Sequence, residues 1–124
     1  MSRVLIVDDC DAVRGAVRFV LERRPGLEIC GEAIDGLDAI EKAKTLLPDL
    51  ILLDLNMPRL NGAAAAPVLK KISPGVPIML FTMYEEAIGQ LARAEVDLVL
   101  SKPAALHQLA DKVHDLLAGH ASSA

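Results

Sequence analysis

The chain has no tryptophan, one tyrosine and two phenylalanines, so aromatic residues make up only 2% of its 124 residues. Its core must therefore be aliphatic, built from Leu, Val, Ile and Ala. Cysteine is also scarce. Cys10 and Cys30 have neither metal-ligand nor Cys-x-x-Cys spacing, and two cysteines make no disulfide framework, which points to reduced thiols in a cytoplasmic setting. No apolar run reaches the length of a membrane span, and Met1-Ser2-Arg3 leads straight into a strand-length run rather than a signal peptide. Positive charge is not in excess: the formal net charge of −4 argues against nucleic acid or an anionic membrane as a partner.

What is present is a globular composition, 52% hydrophobic and 24% charged, at the length of one domain. Four apolar strands can be read, three of them as runs of the length of strands buried on both faces and the last interrupted by Asp97. Val4-Leu5-Ile6-Val7 runs into Asp8-Asp9, and Leu50-Ile51-Leu52-Leu53 into Asp54. Val76 to Phe81 ends in Thr82, and Val96 to Leu100 ends in Ser101-Lys102-Pro103. Leu27 to Glu32 alternates apolar and polar instead, as an edge strand does.

Helical patterns fill the intervals. The first helix has Asp11 as its expected N-cap and Val13, Ala16, Val17, Val20 and Leu21 as its apolar stripe, with Arg14, Arg18 and Glu22 opposite. Asp35-Gly36 opens the second, with Leu37, Ile40, Ala43 and Leu47 inward. The third, Ala63 to about Ile72, contains Pro67 and is expected to start late or kink. A thinly patterned helix, about Glu85 to Ala94, is expected to be the least stable element. The last runs from about Ala104 to Ala118, with Gly119 as its stop. The division predicted is a domain over residues 1–119 and a frayed tail over 120–124. The fold predicted is α/β, a doubly wound five-stranded parallel sheet in the order 2-1-3-4-5, flavodoxin-like.

In that order the four apolar strands are neighbours about 4.8 Å apart, and their ends bring Asp8-Asp9, Asp54, Thr82 and Lys102 to one edge of the sheet. Asp9 and Asp54 come within reach of one shared cation. Close carboxylates repel one another and call for a cation. Oxygen ligands without His or Cys suit a hard ion, and a shallow site with few protein ligands suits Mg2+ better than Ca2+. With a lysine and a hydroxyl added, the site is equipped for a phosphoryl group, and Asp54 is central enough to be its acceptor.

These residues carry a resemblance. Val7-Asp8-Asp9, Leu53-Asp54-Leu55-Asn56-Met57-Pro58 with Gly62, Phe81-Thr82 and Leu100-Ser101-Lys102-Pro103 resemble the motifs of the receiver domains of two-component response regulators, over Arg3 to Gly119. The resemblance implies that a sensor histidine kinase or phosphotransfer protein phosphorylates Asp54. It implies that Asp9, Asp54 and the carbonyl of Asn56 bind Mg2+, with Asp8 acting through metal-bound water. Thr82 and Lys102 would hold the phosphoryl group, and Lys102-Pro103 would be cis. With no helix-turn-helix or catalytic module beside this one domain, the protein is expected not to be an enzyme, to promote only its own phosphorylation and dephosphorylation, and to be read by a downstream protein partner. The last two strand–helix units are the expected contact surface, including for a homodimer.

Some positions depart from the family pattern. Val99 stands where Tyr or Phe is usual, Met83 follows the threonine where a small residue is usual, and Glu95-Val96 replaces Gly-Ala. Tyr84, two after Thr82, is the one aromatic near enough to substitute for the usual Tyr or Phe, against the plainer reading of a partly exposed ring over the site mouth. Two other classes remain open: a non-switching dimerisation or scaffold module, motivated by Val99, and an aspartyl-phosphate phosphatase, against which Asn56 stands where a second Asp would be needed. Arg14 and Arg18 read as a solvated basic stripe, and His107, His114 and His120 as solvated positions.

Overall fold

The computed structural model describes residues 2–54, 59, 62–82 and 98–123, and the side chains of all these except residues 63, 82, 98–105, 107 and 120–123. Strands β1 (Ser2–Val7), β2 (Leu27–Ala33), β3 (Leu50–Leu53), β4 (Ile78–Thr82) and β5 (Leu98–Ser101) pair in parallel. Helices α1 (Asp11–Glu22), α2 (Gly36–Leu46) and α3 (Gly62–Ile72) and a C-terminal helix (Lys102–Ser123) connect and cover them. Strands in the order β2-β1-β3-β4 carry described side chains, and β5 adjoins β4 through backbone register, Val99 opposite Leu80. The chain therefore has an α/β, flavodoxin-like fold on a parallel sheet.

Alternation along the strands divides the interior into two cores. Leu5, Val7, Ile51, Leu53, Ile78 and Leu80 face α2 and α3, where the helices contribute Ala39, Ala43, Ala65, Ala66 and Leu69. Val4, Ile6, Leu50, Leu52, Met79 and Phe81 face α1 and the C-terminal helix, which contribute Val17, Leu21, Leu109 and Val113. β3 is buried along its whole length, as a continuous apolar run requires. β2 is the edge strand, and it carries a bulge: Val4 pairs with Ile29 but Leu5 with Gly31, which leaves Cys30 as the extra residue.

Several expectations shift. Asp11 is the first helical residue of α1, and Cys10 occupies the cap without a side-chain cap bond. The inward stripe of α2 is offset, with Ala39 and Ala43 buried while Leu37 and Leu47 are exposed. Leu47 is instead the left-handed C-cap, with φ 50°. Pro67 lies inside α3, which begins at Gly62 rather than late. The C-terminal helix begins at Lys102 and continues past Gly119 to Ser123. Among the described residues there is no cis peptide bond, against the expectation for Lys102-Pro103. The helix expected over Glu85 to Ala94 lies outside the described residues, as do Met83, Tyr84, Glu95 and Val96.

Candidate functional site

The site is built where β1 and β3 end side by side. The amide of Asp8 donates to the carbonyl of Ala33 at 3.0 Å, and that of Asp54 to the carbonyl of Val7 at 2.9 Å. Both residues are thus held by the sheet rather than by loops. Asp8, Asp9 and Asp54 each offer a carboxylate oxygen, and these atoms all lie within 4.8 Å of one another. Asp8 and Asp54 are buried and Asp9 is exposed, so the cluster opens to solvent on one side. Val13, Val17 and Phe81 line the space beneath Asp8 and Asp54. An apolar floor weakens screening among three like charges and strengthens their demand for a cation. The donor set is oxygen alone, which fits a hard divalent ion such as Mg2+.

The strand-end loop carrying the acidic pair is braced from outside. The Cys10 amide donates to Asp8 Oδ1 at 2.9 Å. Arg14 donates from Nη1 to the carbonyl of Asp8 at 2.7 Å and from Nε to Glu32 Oε1 at 2.9 Å, and also pairs with Asp11. Arg18 donates to the second oxygen of Glu32 at 2.6 Å. Burial pushes the Glu32 carboxyl upward, but the hydrogen bonds and charges of Arg18 and Arg14 outweigh it and hold the carboxyl below its ordinary range. Arg14 and Arg18 are therefore not a free basic stripe. They join α1 to β2, and Arg14 also fixes the carbonyl of Asp8.

Asp35 caps α2 by accepting from the Asp38 amide at 2.8 Å. Its other oxygen accepts from Arg59, at 2.7 Å from Nε. The Asp38 amide first, and then Arg59, keep this buried carboxyl low against the effect of burial. Neither Glu32 nor Arg59 could be singled out from the sequence, because each partnership joins residues far apart in the chain.

Among the residues anticipated for the site, the structure brings Asp8, Asp9 and Asp54 together. Thr82 closes β4 and Lys102 opens the C-terminal helix, each at a strand end on the carboxyl edge of the sheet. Their side chains, and all of Asn56, lie outside the description. Cys10 is exposed and Cys30 half-buried, its thiol pushed up by burial. His114 is exposed.

A strand-end acidic cluster on this fold defines a class, and comparison with known proteins agrees. Residues 4–114 match the response regulator receiver domain family, and the chain belongs to it. It is thus a receiver domain of the two-component response regulator type. It is 34% identical over 125 residues to a protein-glutamate methylesterase/protein-glutamine glutaminase of Methanosarcina acetivorans, covering 92% of this chain and 36% of the relative. It is 42% identical over 92 residues to the protein of the same name from Pyrococcus abyssi, covering 74% of this chain and 25% of that one. The chain thus spans about a third or less of the curated relatives it matches. Among solved structures, the response regulator domain of Thermotoga maritima CheB is similar at a TM-score of 0.84 and 29% identity, covering 97% of this chain and 96% of that one. The response regulator protein TrrA of Thermotoga maritima, solved in complex with Mg(2+)-BeF, is similar at 0.85 and 30% identity, covering 94% and 99%.

These relatives correct one expectation. The protein was expected not to be an enzyme, because these residues contain no second catalytic module. Its relatives are nonetheless named as enzymes, and the match covers a minor part of their length. A match over the receiver domain alone does not support the absence of enzymatic activity, so the non-enzyme reading does not stand. Among the described residues no helix is long and apolar enough to cross a membrane.

Proposed function

We propose that Asp54 accepts a phosphoryl group from a histidine kinase or phosphotransfer protein, within a receiver unit spanning residues 1–119 on a five-stranded 2-1-3-4-5 sheet. The observation that supports this most is the convergence of Asp8, Asp9 and Asp54 within 4.8 Å at the ends of β1 and β3. A carboxylate oxygen of Asp54 attacks phosphorus as the bond to the donor nitrogen breaks, giving an aspartyl phosphate. Asp8, Asp9, Asp54 and the carbonyl of Asn56 would hold Mg2+. When bound, the ion offsets the charge of the carboxylates and of the incoming phosphoryl oxygens. Lys102 and Thr82 hold the remaining phosphoryl oxygens, a role supported by their positions at the opening of the C-terminal helix and the end of β4.

The protein works in the cytoplasm, and a downstream protein reads the modified state through the last two strand–helix units, where two copies also pair. The names of its relatives favour an effector of the protein-glutamate methylesterase class. The test is incubation with acetyl phosphate and Mg2+ followed by intact mass measurement. The wild type gains one phosphoryl mass and Asp54→Asn gains none; an unmodified wild type sinks the reading.

A further inference from the structure

The structure assigns Arg14 a positioning role for Asp9, the exposed carboxylate of the acidic cluster. Asp9 follows the end of β1, and the chain is held on both sides of it. Upstream, the Asp8 amide donates to the carbonyl of Ala33 at 3.0 Å, and the Asp8 carbonyl accepts from Arg14 Nη1 at 2.7 Å. The peptide that joins Asp8 to Asp9 is planar, so a fixed carbonyl fixes the plane from which Asp9 starts. Downstream, the Cys10 amide donates to Asp8 Oδ1 at 2.9 Å, and the Cys10 carbonyl accepts from the Arg14 amide at 3.0 Å. Arg14 thus grips the turn at both ends, once through its guanidinium and once through its backbone, and Asp9 lies between the two grips.

The guanidinium is itself anchored. Its Nε donates to Glu32 Oε1 at 2.9 Å on β2, it pairs with Asp11, and its side chain is only 12% exposed. The Asp8 carbonyl is therefore held by a donor that is fixed from the edge strand. This bears on the cluster because Asp8 and Asp54 are buried, whereas the exposed Asp9 takes its direction from the backbone that carries it. The inference rests on the proposed function, in which Asp8, Asp9 and Asp54 hold Mg2+: Arg14 raises affinity by aiming Asp9, without touching the ion. The charge of Arg14 works the other way. A guanidinium beside three carboxylates offsets part of their repulsion and so weakens their demand for a cation. Positioning and charge therefore give opposite signs for the loss of Arg14.

The test is an Mg2+ titration of the whole chain followed by backbone amide shifts, with wild type, Arg14→Ala, Arg14→Lys and Arg18→Ala. Arg18 is the control: it shares Glu32 with Arg14 and carries the same charge, but its described hydrogen bonds go to Glu22 and Glu32. Arg14→Ala should bind Mg2+ about tenfold more weakly, as expected when the support of a metal ligand is removed. Its metal-free amide shifts should move at Asp9 and Cys10. Arg14→Lys keeps the charge, but one ammonium cannot serve the Asp8 carbonyl and Glu32 as a planar fork does, so its affinity should fall between. Arg18→Ala should lose stability and keep wild-type affinity. Wild-type or tighter affinity in Arg14→Ala overturns the role, and so does equal weakening in Arg18→Ala, which would make Arg14 one strut of a helix–strand bridge. Should Arg14→Ala not fold, wild-type affinity in Arg14→Lys overturns the role in its place. A wild type that takes up no Mg2+ removes the metal reading and this role together. That outcome is distinct from one in which wild type binds and Arg14→Ala matches it.

Discussion

The amide of Asp54 donates to the carbonyl of Val7 at 2.9 Å, one step beyond the last register pair of the two strands, Val7 opposite Leu53. The acceptor candidate is therefore spaced from Asp8 and Asp9 by the sheet itself. Strand spacing sets how close Asp8 and Asp54 stand, and the turn after β1 brings Asp9 to them. The crowding is present whether or not a cation is bound.

Removing one of these charges should consequently stabilise the metal-free fold. Asp9 is the exposed member, so Asp9→Asn disturbs packing least. Relief of one like-charge contact at this separation is worth about 1 kcal/mol where water screens it fully, as at the exposed Asp9. For a domain of this size that raises the melting temperature by about 4 °C. The measurement is a thermal melt in chelator with and without excess Mg2+. The gap should close or reverse with Mg2+, because wild type then gains the ion's binding energy and the variant gains less. A variant that melts lower than wild type in chelator would contradict the crowding argument.

Acid should loosen the braces around the site in a defined window. Glu32 and Asp35 both have folded pKa values below their ordinary ones. Their stabilising contribution is therefore complete above the unfolded values, about 4.3 for Glu and 3.9 for Asp, and is lost as pH falls through the lower folded values. Glu32→Gln should cost about 0.5–1 kcal/mol at pH 7, since the pairs with Arg14 and Arg18 are partly exposed. Urea unfolding across pH 3 to 7 should show a shallower acid loss for this variant than for wild type. Parallel slopes would mean that Glu32 does not carry the proton linkage.

The fold and the acidic cluster were legible in the sequence for one reason: buried parallel strands are continuous apolar runs, and a charge cannot continue them. Asp8 and Asp54 directly follow the last residues of β1 and β3, Val7 and Leu53, where the aliphatic run gives way to a carboxylate. The helices were less legible. In α2 the core takes Ala39 and Ala43 while Leu37 and Leu47 are exposed, so the larger side chains misled the choice of inward face. The Arg14–Glu32 and Arg59–Asp35 pairs were invisible because a guanidinium's partner is chosen in space. Arg14 and Glu32 meet only once β2 lies beside β1, and no spacing along the chain announces it.

Gly31 carries a steric requirement that its sequence context does not show. A Cβ there would stand 2.6 Å from Leu46 Cδ1, with Leu5 Cδ1 at 3.7 Å. The first contact is too short, although Leu46 is half-buried and its side-chain end can rotate away. Gly31→Ala should therefore cost about 1 kcal/mol and Gly31→Val about 2–3 kcal/mol, the range for overpacking. Urea midpoints should fall in that order with unchanged slope. If valine is tolerated as well as alanine, Leu46 is not the obstacle.

Pro67 offers the opposite case, a site where substitution should stabilise. It lies in the middle of α3, where it cannot donate a hydrogen bond to the carbonyl of residue 63. A proline in a helix interior costs about 3 kcal/mol relative to alanine. Two terms reduce the gain from replacing it. The proline ring restricts the unfolded chain, worth about 0.4–1 kcal/mol, and Pro67 is half-buried, so alanine gives up some contact. The net expectation for Pro67→Ala is a gain of about 1–2 kcal/mol, read as a higher urea midpoint. α3 packs through Ala65, Ala66 and Leu69 against Ile51 and Leu53 of the strand that ends at Asp54. The same variant therefore tests whether stiffening α3 reaches the site. Unchanged Mg2+ affinity alongside raised stability would show that the helix supports the strand without setting the geometry of its carboxylates.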